Sequence, residues 1–178
     1  MRYFDLISEG IDVAPLRHAV VRQPELWNVH RLRTTHPGSV HGEADDIWLR
    51  FAPVDSLVAI VDGLESIDYP ALATLSQARP IIFDLMRRVE GIRLGRVLIT
   101  RLRPGGRVRP HEDAGGYAAY YDRYHICLQG AAENFFHAGD ERVAMRTGEV
   151  WWFDNAKRHQ AVNSSASDRI HMIVDIRS

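Results

Sequence analysis

The chain has 178 residues, 46% of them apolar, which suits a single packed domain and excludes a wholly disordered chain. Its 22 basic and 23 acidic residues give a formal net charge of −1, so there is no general electrostatic pull toward nucleic acid or an anionic membrane. The lone Cys127 rules out an internal disulfide, the opening MRYFDLISEG does not read as a secretory signal, and no segment approaches the roughly 20 apolar residues of a membrane span. A soluble cytoplasmic protein is expected.

In chain order, a short strand is expected at 2–7 and a helix at about 13–23. Asp12 caps that helix, Val13, Leu16 and Val20 share a face, and Pro24 closes it. Residues 27–34 alternate polar and apolar and read as a strand, 36–45 as a turn-rich loop, and 46–51 as a returning strand. The clearest helix lies near 79–90, where Ala78, Ile82, Leu85 and Val89 form one stripe and Gly91 supplies a left-handed stop. From Ile92 onward the pattern turns to β. The runs 96–103, 123–129, 134–137, 143–146, 150–153, 160–163 and 169–176 are separated by turn signals such as PGG, AGD and TGE. Many short strands at such spacing predict a sandwich or two-sheet jelly roll. The expected organisation is one domain, with residues 1–91 as helical buttress and outer strands and 92–178 as the β core.

Within that core, His111 and Asp113 stand two apart in RPHEDAG, and His159 follows in FDNAKRHQAVN. Residues i and i+2 of an extended segment point to one side, so both can reach a single ion, with His159 arriving from a later strand. Glu112, between them, faces away. Two imidazoles and one carboxylate form a three-point set on one face of a divalent iron and leave the opposite positions open for chemistry. An H-x-D tripeptide is common by chance; its force comes from what surrounds it. His36 and His41 share a loop and read as loop residues.

Ten residues past His159, alternation in DRIHMIVDI puts Arg169, His171, Ile173 and Asp175 on one face and Ile170, Met172 and Val174 on the other. The same rule groups Arg123, His125, Cys127 and Gln129. An arginine in an otherwise apolar strand near a metal set is suited to a bidentate grip on a carboxylate, so Arg169 is expected to hold the distal carboxylate of 2-oxoglutarate. For a substrate, the candidates are Trp48 and Arg50 on one strand, Arg109 beside the metal motif, Trp152 before the His159 loop, and Tyr117 in residues 115–121, which read as a glycine-hinged lid. Trp48 is equally suited to a core position.

Together, RPHED, DRYHICLQG, NFFHAGDERVAMRTGEVWWFDNAKRHQAVN and DRIHMIVDI resemble the aspartyl/asparaginyl β-hydroxylase family of Fe(II)/2-oxoglutarate dioxygenases, especially bacterial members that include free-proline cis-hydroxylases. The resemblance covers roughly residues 96–176. It implies a mainly β, cupin-like double-stranded β-helix with buttressing N-terminal helices. It also implies Fe(II) held by His111, Asp113 and His159, 2-oxoglutarate held by Arg169 with Arg123, His125 and Thr100, and consumption of O2. Some family members, including protein-modifying animal enzymes, have glycine where Asp113 stands. The full triad sides with the bacterial small-molecule branch. Residues 114–122 (AGGYAAYYD) form an insert without a family counterpart. The expected activity is hydroxylation of an unactivated C–H bond of a small substrate, an amino acid or derivative. The alternatives are hydroxylation of a peptide or protein Asp/Asn-type side chain, and a cupin-like metal or ligand-binding module without redox chemistry, although cupins usually bring H-x-H from the first motif.

Overall fold

The computed structural model describes residues 1–53 and 60–178. The elements that frame the site are β1 (Phe4–Ser8), α1 (Ala14–Val21), α2 (Leu32–Thr35), β2 (Ala44–Phe51), β3 (Ile67–Asp68), α3 (Pro70–Thr74), α4 (Ala78–Arg88), β4 (Arg93–Leu102), β5 (Arg107–His111), α5 (Gly116–Tyr120), β6 (Asp122–Gln129), β7 (Asn134–Ala138), β8 (Glu141–Val143), β9 (Val150–Phe153), β10 (His159–Asn163) and β11 (Arg169–Arg177). The strands form a seven-stranded sheet, in the order β1-β9-β6-β11-β4-β2-β3, and a four-stranded sheet, β5-β10-β7-β8. Every ladder is antiparallel. Two facing antiparallel sheets of this order are the expected cupin-like double-stranded β-helix.

Alternation decides which side chains see which layer. Val97 and Ile99 of β4, Tyr124, Ile126 and Leu128 of β6, and Ile170, Met172, Val174 and Ile176 of β11 point from the large sheet onto Leu16 and Val20 of α1, Leu72 of α3 and Ile82 and Leu85 of α4. Burying side chains of this size stabilises by about 1.5–3 kcal/mol each, which makes this layer the principal core. The opposite face looks toward the small sheet. There Phe4, Leu102, Phe136 and Phe153 form a second cluster, with the Phe136 and Phe153 rings 4.7 Å apart. A cavity beside that cluster, lined from both sheets, holds the site.

Several local expectations are corrected. Residues 27–34 form no strand. Asn28 takes a left-handed conformation (φ 62°), its amide donates to Asp45, and the Thr34 and Thr35 hydroxyls cap back onto the Arg31 carbonyl at the start of α2. Asn28 and this local hydrogen bonding outweigh the polar–apolar alternation. At the end of α4 it is Glu90, not Gly91, that is left-handed (φ 53°). Gly91 is needed for close approach, since a Cβ there would lie 2.5 Å from Ile176 Cγ2. The strand expected at 143–146 runs instead over Glu141–Val143. Strand β5 was not anticipated, because its sequence RVRPH carries arginines and a proline and has only Val108 as an apolar alternator. Residues 116–120, expected as part of a lid loop, are the helix α5, with Tyr117 buried at 3% exposure.

Candidate metal centre and anion pocket

Strand register brings the two histidines together. In the β5–β10 ladder His111 and His159 are direct partners, and their ring centroids lie 4.2 Å apart. Asp113 lies two residues beyond the end of β5, and its N–H donates to the Asn155 carbonyl, which anchors it beside the loop leading to His159. Its Oδ1 is 3.4 Å from His111 Nε2 and 3.9 Å from His159 Nε2. One ligand atom from each residue falls within 4.8 Å of the others.

The donor chemistry fits a metal. His111 Nδ1 lies 2.8 Å from the Arg109 carbonyl and His159 Nδ1 lies 2.8 Å from the Lys157 carbonyl. A carbonyl can only accept, so each Nδ1 carries the proton and each Nε2 offers its lone pair to the shared space. Burial pushes the His159 imidazole down to about 4, which keeps it neutral, as a ligand must be. Burial alone would raise the Asp113 carboxyl, but the Arg123 guanidinium outweighs it and holds it well below the usual carboxylate range. Two imidazole nitrogens and one carboxylate oxygen are the facial donor set of a non-haem iron site.

The same cavity contains a buried cation. Arg169 is 2% exposed and lines the cavity with Thr100, His125, Phe136 and both metal-set histidines. Among the described residues it has no carboxylate partner. Its hydrogen-bond contact among the described residues is with His171 Nδ1, 3.4 Å from Nη2. Burial lowers the guanidinium to about 10. A buried charge without a counterion is costly, so this position calls for an anionic ligand. His125 is held neutral by burial and then by Arg169.

Arg123 departs from its expected role. Its Nε and Nη2 donate to Asp175 at 2.8 and 3.0 Å, and its Nη1 donates to Asp113 Oδ2 at 2.5 Å. It borders the cavity, but the fork is engaged by two carboxylates rather than turned toward an incoming one.

The proposed substrate residues scatter. Trp48 is 2% exposed, stacks on Phe51 at 3.9 Å, and belongs to a side cluster with Tyr69 and Leu98. Arg50 pairs with Asp68 in the β2–β3 hairpin. Trp152 faces away from the cavity, and its indole N–H donates to Asp122. Arg109 donates to the Ser39 carbonyl and so ties down the 36–43 loop; its contribution to the site is the carbonyl that orients His111. Tyr117 alone lies at the site, in the wall of a second cavity that also touches Asp113, Ala114 and Arg123. Two residues were not anticipated. His41 and Arg33 line both cavities, joined by a 3.2 Å contact from Arg33 Nη2 to His41 Nδ1, with His41 edge-on to His111 at 5.2 Å. Nothing in their sequence spacing distinguishes them from loop residues.

The aspartyl/asparaginyl β-hydroxylase family matches residues 68–178. Among solved structures, a 2OG-Fe(II) oxygenase family oxidoreductase from Burkholderia pseudomallei superposes with a TM-score of 0.52 at 15% identity, covering 75% of this chain and 66% of that one. A predicted oxalate decarboxylase from Thermotoga maritima gives 0.39 at 22% identity (48% and 68% covered). A cupin 2 conserved barrel domain protein from Salinispora arenicola gives 0.36 at 18% (45% and 60% covered). The chain thus spans about two thirds of the length of the first two and less of the third. The fold and site define a class, the 2-oxoglutarate-dependent hydroxylases built on a double-stranded β-helix. Within that class the chain belongs to the aspartyl/asparaginyl β-hydroxylase family.

Proposed function

We propose that the protein is an Fe(II)- and 2-oxoglutarate-dependent dioxygenase that hydroxylates an unactivated C–H bond of a small substrate, an amino acid or a derivative of one. The observation that carries this reading is a single cavity lined by both histidines of the His111–Asp113–His159 donor set and by the buried Arg169, which has no carboxylate partner among the described residues. When bound, iron with 2-oxoglutarate and O2 supplies the oxidising power, and succinate and CO2 are the coproducts. The chain's own residues do the positioning. His111, Asp113 and His159 would hold the metal from one side. Arg169 would grip the far carboxylate of the cosubstrate, with Thr100 and His125 along its length. Phe136, Phe153 and Leu102 exclude water from that end of the cavity.

The second cavity supports a small substrate. It borders Asp113 and is walled by Phe51, Leu98, Ala118 and Tyr117, an apolar and aromatic lining suited to a compact ligand. No described helix is long and apolar enough to cross a membrane. We place the enzyme in the cytoplasm, a reducing compartment with which a chain of one buried cysteine, Cys127, is compatible. Anaerobic addition of Fe(II) and 2-oxoglutarate should produce a weak visible charge-transfer band, and a panel of amino acids, N-acyl derivatives and short peptides should contain compounds that stimulate succinate release. Absence of the band would leave a binding module without redox chemistry. Stimulation by peptides alone would overturn the small-substrate assignment.

A further inference from the structure

Asp175 is a carboxylate 1% exposed, outside the metal set, in the middle of the large sheet. It is the direct cross-strand partner of Arg123 in the β6–β11 ladder, so the backbone register itself brings the two side chains together. Asp175 accepts from Arg123 Nε and Nη2, which fixes the plane of the guanidinium. The remaining nitrogen, Nη1, then lies on Asp113 Oδ2. This leaves Asp113 Oδ1 as the oxygen turned toward both histidine Nε2 atoms. On the other side, the Tyr117 hydroxyl donates to Asp175 Oδ2 at 3.0 Å and accepts from the Arg96 backbone N–H at 2.7 Å. Space for that hydroxyl depends on Gly95, where a Cβ would come within 2.6 Å of it. The chain of contacts runs from α5, across the floor of the second cavity, to the carboxylate of the metal set.

We propose that Asp175, held by Tyr117, is a positioning residue for the metal centre: by engaging two nitrogens of Arg123 it limits that arginine to one oxygen of Asp113 and keeps the other free for the ion. Without Asp175, the Arg123 fork is free to grip both Asp113 oxygens and to compete with the metal for its only anionic ligand. This inference rests on the metal-centre reading above, but not on any substrate or on 2-oxoglutarate.

The test is titration of the full-length metal-free protein with Co(II), followed by its d–d absorption. Asp175→Asn keeps the shape and removes the charge, and its Co(II) affinity should fall about 10- to 100-fold, as for other partners of a metal ligand. Tyr117→Phe removes one hydroxyl and should cost about 3- to 10-fold. Arg123→Gln and Arg123→Gln/Asp175→Asn should bind Co(II) equally, because Asp175 acts through Arg123. A purely structural role would lower the melting temperature of the metal-free variants and leave their affinity untouched. Affinity of Asp175→Asn within twofold of the parent overturns the inference. If that variant does not fold, the same result in Tyr117→Phe does so. An additive double variant also overturns it. If the parent itself binds no Co(II), it is the metal-centre reading that falls.

Discussion

The two faces of β11 are buried almost equally, yet they are built from opposite chemistry. Toward the helices lie Ile170, Met172, Val174 and Ile176. Toward the cup lie Arg169, His171, Ile173 and Asp175, also buried. The first face lowers the free energy of folding by removing apolar surface from water. The second raises it: Arg169 has no described counterion, and His171 Nε2 is a buried atom with no hydrogen-bond partner. Only Asp175 is fully answered, by Arg123 and Tyr117. One strand therefore carries stability on one side and an unsatisfied, ligand-seeking arrangement on the other, as expected where a site is maintained at the expense of the fold.

Substitutions can separate the two faces. The largest effect should come from the cup, at the metal set. His159→Ala removes one of three ligands and should abolish Co(II) binding and succinate release while leaving the far-ultraviolet circular dichroism unchanged; full activity in that variant would remove the site. Next is Arg169→Met, which should weaken 2-oxoglutarate binding by at least about 30-fold, the low end for breaking a buried charge pair. The same variant should melt no lower than the parent in the absence of cosubstrate, because it removes an uncompensated buried charge. A clear loss of apo-protein stability would show that Arg169 is paired within the fold. On the helical face, Met172→Ala should behave oppositely, losing about 2–5 kcal/mol in denaturant unfolding with Co(II) affinity preserved in the folded fraction.

The smallest effect is that of pH. His125 and His171 are kept neutral by burial first and by Arg169 second, well below the ordinary imidazole range. In the unfolded chain both titrate near about 6.5, so below that pH the unfolded state binds more protons. Their contribution to stability is therefore complete above about pH 6.5 and is lost as the solution is acidified. The metal-free protein should melt at a lower temperature at pH 5.5 than at pH 7.5, and an unchanged melting temperature would mean that the cup already admits water to both rings.

Much of this was legible along the chain. The alternation of Ile170, Met172 and Val174 against Arg169, His171 and Asp175 assigns both faces of β11 from sequence, because period two is a property of the extended backbone itself. The H-x-D motif with a later histidine suggested the donor set for a similar reason. What failed were inferences from residue type without position. Trp48, Arg50 and Trp152 are aromatics or cations on strands, and each is engaged by a neighbour away from the cavity: a ring stack on Phe51, an ion pair with Asp68 and a hydrogen bond to Asp122. Residues 27–34 alternated suitably, but Asn28 left the extended region.

The sequence by itself determined the alternating strands, the apolar stripe of α4 and the identity of the ligand-capable side chains, since these depend on spacings of a few residues. Tertiary structure alone decided that His111 faces His159, that Arg123 bridges Asp113 to Asp175, and that His41 and Arg33 reach the cavity. Those relations depend on ladder register and on the facing of the two sheets across the cavity. Register couples residues 48 positions apart at His111 and His159 and 52 at Arg123 and Asp175, and no local pattern encodes such distances.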